Sequence, residues 1–292
     1  MRERRQAPEK ASARFLYRTL PGRMLLWAVV RPWVSRLAGW LLDRRLSAGL
    51  IPPFVRKSGI VAEDYEPGPY ATFNSFFCRH IRAEKRPVDR DENALIAPCD
   101  ASLSVYPIDD EACFTVKDTP YTMETLTRSK ELAEKYRGGW LCLFRLGVGD
   151  YHRYVFPADG VPAAGERIPG VLHTVHPVAA AARPIYKENT REYMALHTEV
   201  FGDLLMMEVG ALLVGKIVNG PLPEKAVRGA EKGYFAYGGS TIILCTEKGR
   251  FIPDGEFLTN TAEGYETIVR MGETIGYAAA NHREPDTAGG PV

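Results

Sequence analysis

Short apolar runs, each closed by glycine, proline or aspartate, dominate the chain beyond residue 90. Residues 95–97, 103–106, 140–146, 204–209, 212–218 and 241–245 have this form and predict strands. The first 50 residues follow a different rhythm. Residues 14–50 predict helix, and from Pro32 onward Trp33, Val34, Leu37, Trp40 and Leu41 recur at i, i+4, i+7 and i+8 on one face. Pro32 suits a first helical turn and Gly49 a helix stop. Arg36, Arg44 and Arg45 lie off the apolar stripe. A second short helix is expected over 74–82, with Phe73, Phe76, Phe77 and Ile81 apolar, and a helical insertion over 121–136. Residues 1–13 are polar and read as a frayed end, and the tail after Ala280 reads as loop. No repeat, low-complexity stretch or linker interrupts the rest. The pattern predicts an α+β fold, with a β-rich core of packed antiparallel or mixed sheets under an N-terminal amphipathic helical cap.

Composition narrows the classes. At 292 residues, 45% apolar and 25% charged, the chain can bury a sizeable core and is neither disordered nor collagenous. Its 37 Lys and Arg nearly cancel 36 acids, so no basic excess points to nucleic acid. The average hides an asymmetry. Residues 1–50 hold 11 Lys and Arg against 3 acids, and Trp27, Trp33 and Trp40 lie there, three of the chain's four tryptophans. A basic, Trp-rich segment suits an anionic membrane surface; an amphipathic helix packed on its own domain is the alternative, and the pattern leaves both open. The division expected is 1–50 as a membrane-associating helical region and 51–292 as the catalytic domain. The apolar run 24–30, bracketed by Arg23 and Arg31, falls far short of the roughly 20 residues of a spanning helix and carries no secretory cleavage site. The cysteines at 78, 99, 113, 142 and 245 are odd in number and form no CxxC, as expected of reduced thiols in a cytosolic compartment.

Four places carry candidate chemistry. His152 follows the run 140–146 within Asp150-Tyr151-His152-Arg153, a strand-end loop suited to a general acid or base; an ordinary loop histidine is the bland reading. His173 and His176 form HxxH, which needs a further ligand to hold zinc; HExxH and Cys/His clusters are absent, so no metal is expected. Asp100, directly after a strand, could orient a histidine or simply bond turn amides. In Gly238-Gly239-Ser240-Thr241 two strands meet. A Gly-Gly hairpin turn is the simple reading. The chemical reading makes Ser240 a nucleophile toward the carbonyl of Gly239, which a glycine leaves unhindered. Neither a GxSxG elbow nor a Walker loop is present, since Ile242 and Ile217 occupy the deciding positions.

These pieces, in this order, resemble the phosphatidylserine decarboxylase family. Phe73-Asn74-Ser75-Phe76-Phe77-Cys78-Arg79 with Arg86-Pro87-Val88 is similar to its FNxFFxR…RP(I/V) segment. Ala97-Pro98-Cys99-Asp100-Ala101 is similar to SPADG, and Tyr151-His152-Arg153 to YHR. Val209-Gly210-Ala211 through Gly215-Lys216-Ile217 is similar to VGAxxVGSI, and 229–241 to KGxExGxF…LGST. The match covers about residues 70–250.

The resemblance implies a proenzyme. Ser240 attacks the Gly239 carbonyl, the chain is cut into a β chain, 1–239, and an α chain, 240–292, and Ser240 becomes a covalent pyruvoyl group. That group forms a Schiff base with phosphatidylserine, and CO2 and phosphatidylethanolamine leave. His152 is implied for decarboxylation or proton delivery, and Asp100 as the acidic member of the self-cleavage site. Partners implied are phosphatidylserine, an anionic membrane surface and the two chains of one precursor, with room for a homodimer. The location implied is peripheral, on the cytoplasmic side of the cell membrane. The family's YHRxHxP motif is broken here: Val155 stands at its second histidine, and valine moves no proton. His152 could do both jobs, His173 or His176 could supply the base from a neighbouring loop, with His173 favoured at this point, or the chain could be a lipid-binding relative that does not mature. Lys216 for serine and Gly238 for leucine are the other departures. A zinc hydrolase built on His152, His173, His176 or His197 is the rival from another class.

Overall fold

The computed structural model describes residues 1–6, 11–116, 118–212, 216–236 and 240–279. In chain order its elements are β1 (Arg4–Arg5), α1 (Ala11–Arg18), α2 (Leu20–Val29), α3 (Pro32–Leu42), a 3-10 turn Arg45–Leu50 and α4 (Ile51–Ser58). There follow α5 (Phe73–Phe77), β2 (Ala94–Ile96), β3 (Ala101–Pro107), β4 (Cys113–Val116), β5 (Thr119–Thr122), α6 (Met123–Thr127) and α7 (Lys130–Tyr136). Next come β6 (Trp140–Leu146), β7 (Arg153–Val155), β8 (Val161–Ile168), α8 (Pro177–Ala180), α9 (Ile185–Glu188), β9 (Arg191–Thr198) and β10 (Gly202–Val209). The chain closes with β11 (Lys216–Asn219), β12 (Glu231–Ala236), β13 (Ser240–Thr246), β14 (Phe251–Pro253), α10 (Gly255–Ala262), β15 (Glu266–Val269) and β16 (Thr274–Ala278).

The α+β expectation holds. The frame is an eight-stranded antiparallel sheet in the order β1-β15-β3-β6-β13-β10-β9-β8, with three-stranded sheets β11-β12-β7 and β14-β16-β2 beside it. Its central strands are buried on both faces, which is why they read as unbroken apolar runs. Side chains alternate between the faces with period two. Phe144, Leu146, Met206, Ile242 and Leu244 join one core with Phe235, Tyr154, Leu95 and Phe257 from the small sheets and α10. Leu143, Met207, Ile243 and Cys245 join the other with Tyr17 and Leu26 of the N-terminal helices, Tyr121, Leu126 and Tyr136.

The N-terminus differs from expectation in detail. Residues 1–6 are anchored: β1 pairs with β15, and Arg2 reaches Asp254 at 2.8 Å. The helical stretch expected over 14–50 is divided: Thr19 caps α2, and Pro32 takes the first turn of α3, as its place in the sequence predicts. Gly49 lies in the 3-10 turn; the stop is Gly59, left-handed at φ +67°, after α4. The helix expected over 74–82 shortens to five residues under a Thr72–Ser75 capping box. The 121–136 insertion is two short helices preceded by a strand.

The stripe on α3 faces outward. Ser35 and Gly39 are buried, whereas Trp33 and Trp40 are 56% and 54% exposed. Leu20, Met24 and Trp27 of α2 and Leu46 extend this apolar surface. No helix among the described residues is long and apolar enough to cross a membrane.

Candidate active site

Ser240 opens β13 directly opposite Leu146 of β6. By the alternation of β13 its side chain shares the face of Ile242 and Leu244. The residue is fully buried, and its Oγ has no hydrogen-bond partner among the described residues. Leaving a hydroxyl so placed costs about 1–3 kcal/mol. Gly238 and Gly239 lie outside the described residues. The simple hairpin reading of this segment fails: β12 pairs with β11 and β7, β13 with β6 and β10. Ala236, the last residue of β12, and Ser240, the first of β13, thus belong to different sheets.

His152 is buried at the entry to β7. Its Nδ1 lies 2.8 Å from the carbonyl of Asp150, which can only accept, so Nδ1 carries the proton and Nε2 is the basic nitrogen of the neutral ring. Its own carbonyl accepts from the Phe235 amide at 2.9 Å, one residue before β12 ends. The ring packs 4.3 Å, centroid to centroid, from Phe77 of α5. Arg153 donates to the Cys78 carbonyl at 2.8 and 2.9 Å and to Glu231 at 2.6 Å, tying α5 to β12 around the histidine.

Two carboxyls border this region. Asp100 receives both Arg86 Nε and Nη2, at 2.8 and 2.6 Å, and the Met271 amide at 2.9 Å. Its hydrogen bonds therefore go to a guanidinium and an amide, not to a histidine. Asp150 accepts from the Gly147 amide at 2.6 Å, one residue past Ser240's partner Leu146. Burial, opposed by that amide and reinforced by the nearby Asp100 charge, pushes its carboxyl up to about 6. A carboxyl that titrates near neutrality beside the start of β13 can take and return a proton. Sequence reasoning quoted Asp150 only as a neighbour of His152; its shift comes from tertiary burial, which no local pattern signals.

The comparisons with known proteins bear on this arrangement. The family model described as phosphatidylserine decarboxylase matches residues 73–277. A relative from Clostridium acetobutylicum, "Phosphatidylserine decarboxylase proenzyme 2", is 39% identical over 264 residues, 90% of both chains. A Clostridium novyi "Phosphatidylserine decarboxylase proenzyme" is 40% identical, covering 85% of this chain and 86% of its own. One from Chlamydia felis is 36% identical over 89% of each. The chain belongs to the phosphatidylserine decarboxylase family. Membership places it among the carboxy-lyases.

Seen in the fold, the family's motifs are one assembly. Arg86 of the RP segment grips Asp100, Phe77 covers His152, and Arg153 binds both the end of α5 and Glu231. Val155, at the motif's second histidine, is buried and gives its amide to Pro98.

His173 is not brought to Ser240. Its neighbours Val175 and Tyr17 belong to the core on the opposite face of the eight-stranded sheet. Its Nδ1 lies 2.9 Å from Tyr17 Oη and its Nε2 3.1 Å from Glu188. The carboxylate fixes the proton on Nε2, so Nδ1 accepts from the tyrosine. Burial, with Arg183 nearby, lowers the imidazole to about 4, so the ring is neutral at physiological pH. It joins α1 to the body beside a cavity of about 910 Å³ lined by Arg18, Arg23, Arg31 and Arg183. His176 caps α8, and His197 pairs with Asp203 at the other end of the sheet. Among the described residues no group of three or more His, Cys, Asp and Glu is gathered to hold a metal.

Proposed function

We propose that the chain is a proenzyme that cuts itself between Gly239 and Ser240 and, with the pyruvoyl group left at residue 240, converts phosphatidylserine to phosphatidylethanolamine at an anionic membrane surface. The observation that carries this reading is the buried, unpartnered Ser240 hydroxyl at the point where the chain changes sheets, in a member of this family.

The site suits such a group. Residue 240 is held by its pairing opposite Leu146, which does not depend on the peptide bond before it. The α chain, 240–292, supplies β13 to the middle of the large sheet and β14, β15 and β16 to pairings with strands of the β chain or with one another. Those ladders keep the two chains associated after the cut.

The residues divide the work. Asp150 accepts the Ser240 proton as the hydroxyl attacks the Gly239 carbonyl, in place of the histidine that Val155 displaces. A carboxyl is a weak base for a hydroxyl, but self-cleavage happens once per chain and needs no fast turnover. Asp100, clamped by Arg86 and the Met271 amide, is a positioning residue that fixes the segment before β3 and adds charge that keeps Asp150 basic. The pyruvoyl carbonyl supplies an electron sink for the carbanion left by departing CO2. His152, oriented by the Asp150 carbonyl and shielded by Phe77, would take a proton at Nε2 from the substrate ammonium and return it to that carbon. A dry site favours loss of CO2, because the charge it disperses is poorly solvated there.

The lipid substrate requires contact with a bilayer. The outward Trp33, Leu37, Trp40 and Leu41 of α3, with Leu20, Met24 and Trp27, form an interfacial surface that Arg31 and Arg44 flank by stacking on Trp27 and Trp40. We place this surface on the cytoplasmic leaflet. Residues 1–50 act as the membrane-associating region and 51–292 as the catalytic domain. Phosphatidylserine vesicles mixed with purified protein test the reading. The wild type releases CO2 and forms phosphatidylethanolamine, and Ser240→Ala stays uncut and inert. Release of product by the Ser240→Ala chain overturns it.

A further inference from the structure

Helix α3 turns a face of small residues toward the body. Ser35 and Gly39 point in, and a cavity of about 470 Å³ lies between them and Leu172, Thr190 and Lys216. That volume is in the range of about 300–1,000 Å³ common for small-ligand sites. We propose that this cavity receives the phosphodiester headgroup of the lipid substrate, with Arg36 and Lys216 as its cations and Ser35 Oγ as a further hydrogen-bonding group. The proposal rests on the decarboxylase reading and deepens it.

Three polar side chains of the cavity, Ser35, Arg36 and Lys216, stand apart from its other polar groups. Ser35 is 4% exposed, and its Oγ has no partner among the described residues. Neither Arg36 nor Lys216 is held in an ion pair among the described residues, whereas Arg167 at the rim is paired with Glu192 at 3.1 Å. Asp43, the one acid in the lining, takes the Asn74 amide at 2.8 Å. A half-enclosed space with two uncommitted cations and an orphan hydroxyl matches a phosphodiester, which offers charge and several acceptor oxygens.

Position supports the same occupant. Lys216 pairs across β11 with Ala236, the last residue of β12 before the segment leading to Ser240. The Cys78 thiol, 3.9 Å from the Phe235 carbonyl, is influenced by both Asp43 and Lys216, so cavity and cleavage segment adjoin. On the other side Trp40 both lines the cavity and is half exposed beside Leu37 and Leu41. A lipid can thus leave its acyl chains at the outer face of α3 while its headgroup reaches behind the helix toward residue 240. Lys216 stands where the resembled motif has serine, so this chain holds the phosphate with one cation more.

Decarboxylation of dihexanoyl phosphatidylserine, dispersed as monomers, reads this site without a bilayer. In Arg36→Gln/Lys216→Ser the proposal expects normal self-cleavage, kcat within about twofold and KM raised about 10- to 100-fold, the size of lost charge-assisted contacts. An unchanged KM in a normally matured double variant overturns it. Ser35→Phe, which fills the cavity, should abolish turnover of this lipid while leaving vesicle binding intact; full turnover overturns the proposal. A third arm is independent of catalysis. Uncut Ser240→Ala protein should bind glycerophosphoserine by calorimetry at least about tenfold more tightly than it binds inorganic phosphate, and lose that binding with Arg36→Gln/Lys216→Ser. Equal binding of the two ligands overturns the headgroup assignment in favour of a simple phosphate site. Failure of wild-type self-cleavage with this binding intact would fault the decarboxylase reading rather than the cavity.

Discussion

Replacing Asp150 by asparagine should make the protein more stable and less able to mature. The Asp150 carboxyl is raised from 3.8 to about 6, chiefly by burial. Full burial would make that shift worth about 3 kcal/mol, and water at the partly open edge of the group reduces it to about 1–3 kcal/mol. The sign follows from proton counts. Below about pH 4 folded and unfolded chains both hold the proton, and the carboxyl has no effect. Between about pH 4 and 6 the unfolded chain releases it first, so the folded chain binds more protons and stability falls as pH rises. Above about pH 7 the destabilisation is complete. Asparagine resembles the protonated acid and can still accept from the Gly147 amide, so the variant escapes the penalty. Thermal unfolding of uncut Ser240→Ala chains, with and without Asp150→Asn, isolates the effect. The expectation is equal stability near pH 4 and a gain at pH 8, at about 2–4 °C per kcal/mol for a chain of this size. In the Ser240 background the same substitution should slow self-cleavage at pH 7 by about 10²–10⁴-fold, the usual contribution of a positioned base. A variant no more stable at pH 8 refutes the burial argument, and one that matures at the wild-type rate removes Asp150 from the proton path.

The remaining predictions concern single contacts. His152→Gln should still yield two fragments but lose about 10²–10⁴-fold in decarboxylation, read by CO2 release; an uncut chain would make His152 the self-cleavage base. His173→Ala should self-cleave at the wild-type rate, because its ring faces the other side of the sheet; slowed cleavage would restore it as the substitute base. Arg86→Ala leaves Asp100 buried with only an amide partner and should cost about 3–5 kcal/mol in urea unfolding; a loss below about 1 kcal/mol contradicts the view that this pair holds the site. Leu20→Ala/Trp27→Ala, on α2 and away from the α3 cavity, should weaken binding to phosphatidylserine vesicles without changing turnover of a monomeric short-chain lipid; unchanged vesicle binding contradicts the surface. These point changes test the membrane surface better than deletion of 1–50, which would also remove β1, the Arg2 ion pair, Tyr17 and the Val30 carbonyl that accepts from Leu172.

Strands buried on both faces were legible because burial alone dictates their composition: β6 matches its apolar run residue for residue, and β13 and β10 nearly so. Strand β8, largely exposed and interrupted by Gly165 and charged residues, shows no such run and escaped the reading. Residues 213–215 of the run expected over 212–218 lie outside the described residues, and β11 covers only its last part. The helical stripe of α3 was visible, but periodicity cannot say whether an apolar face looks inward or outward. The small residues Ser35 and Gly39 on its reverse side were the signal that it looks outward. In the site, the motifs named Ser240, Asp100 and His152 individually. The pairing of Asp100 with Arg86 and the raised carboxyl of Asp150 arise from contacts between separate segments. His173 was legible only as an imidazole on a loop, whereas its contact with Tyr17 puts it with the core on the face of the sheet opposite Ser240.

The intact mass of the purified protein under denaturing conditions bears most directly on the proposed function. The account predicts two species that meet at 239/240, the smaller of 53 residues and blocked at its N-terminus by a pyruvoyl group. A single 32.5 kDa chain from preparations incubated to completion at neutral pH would contradict it.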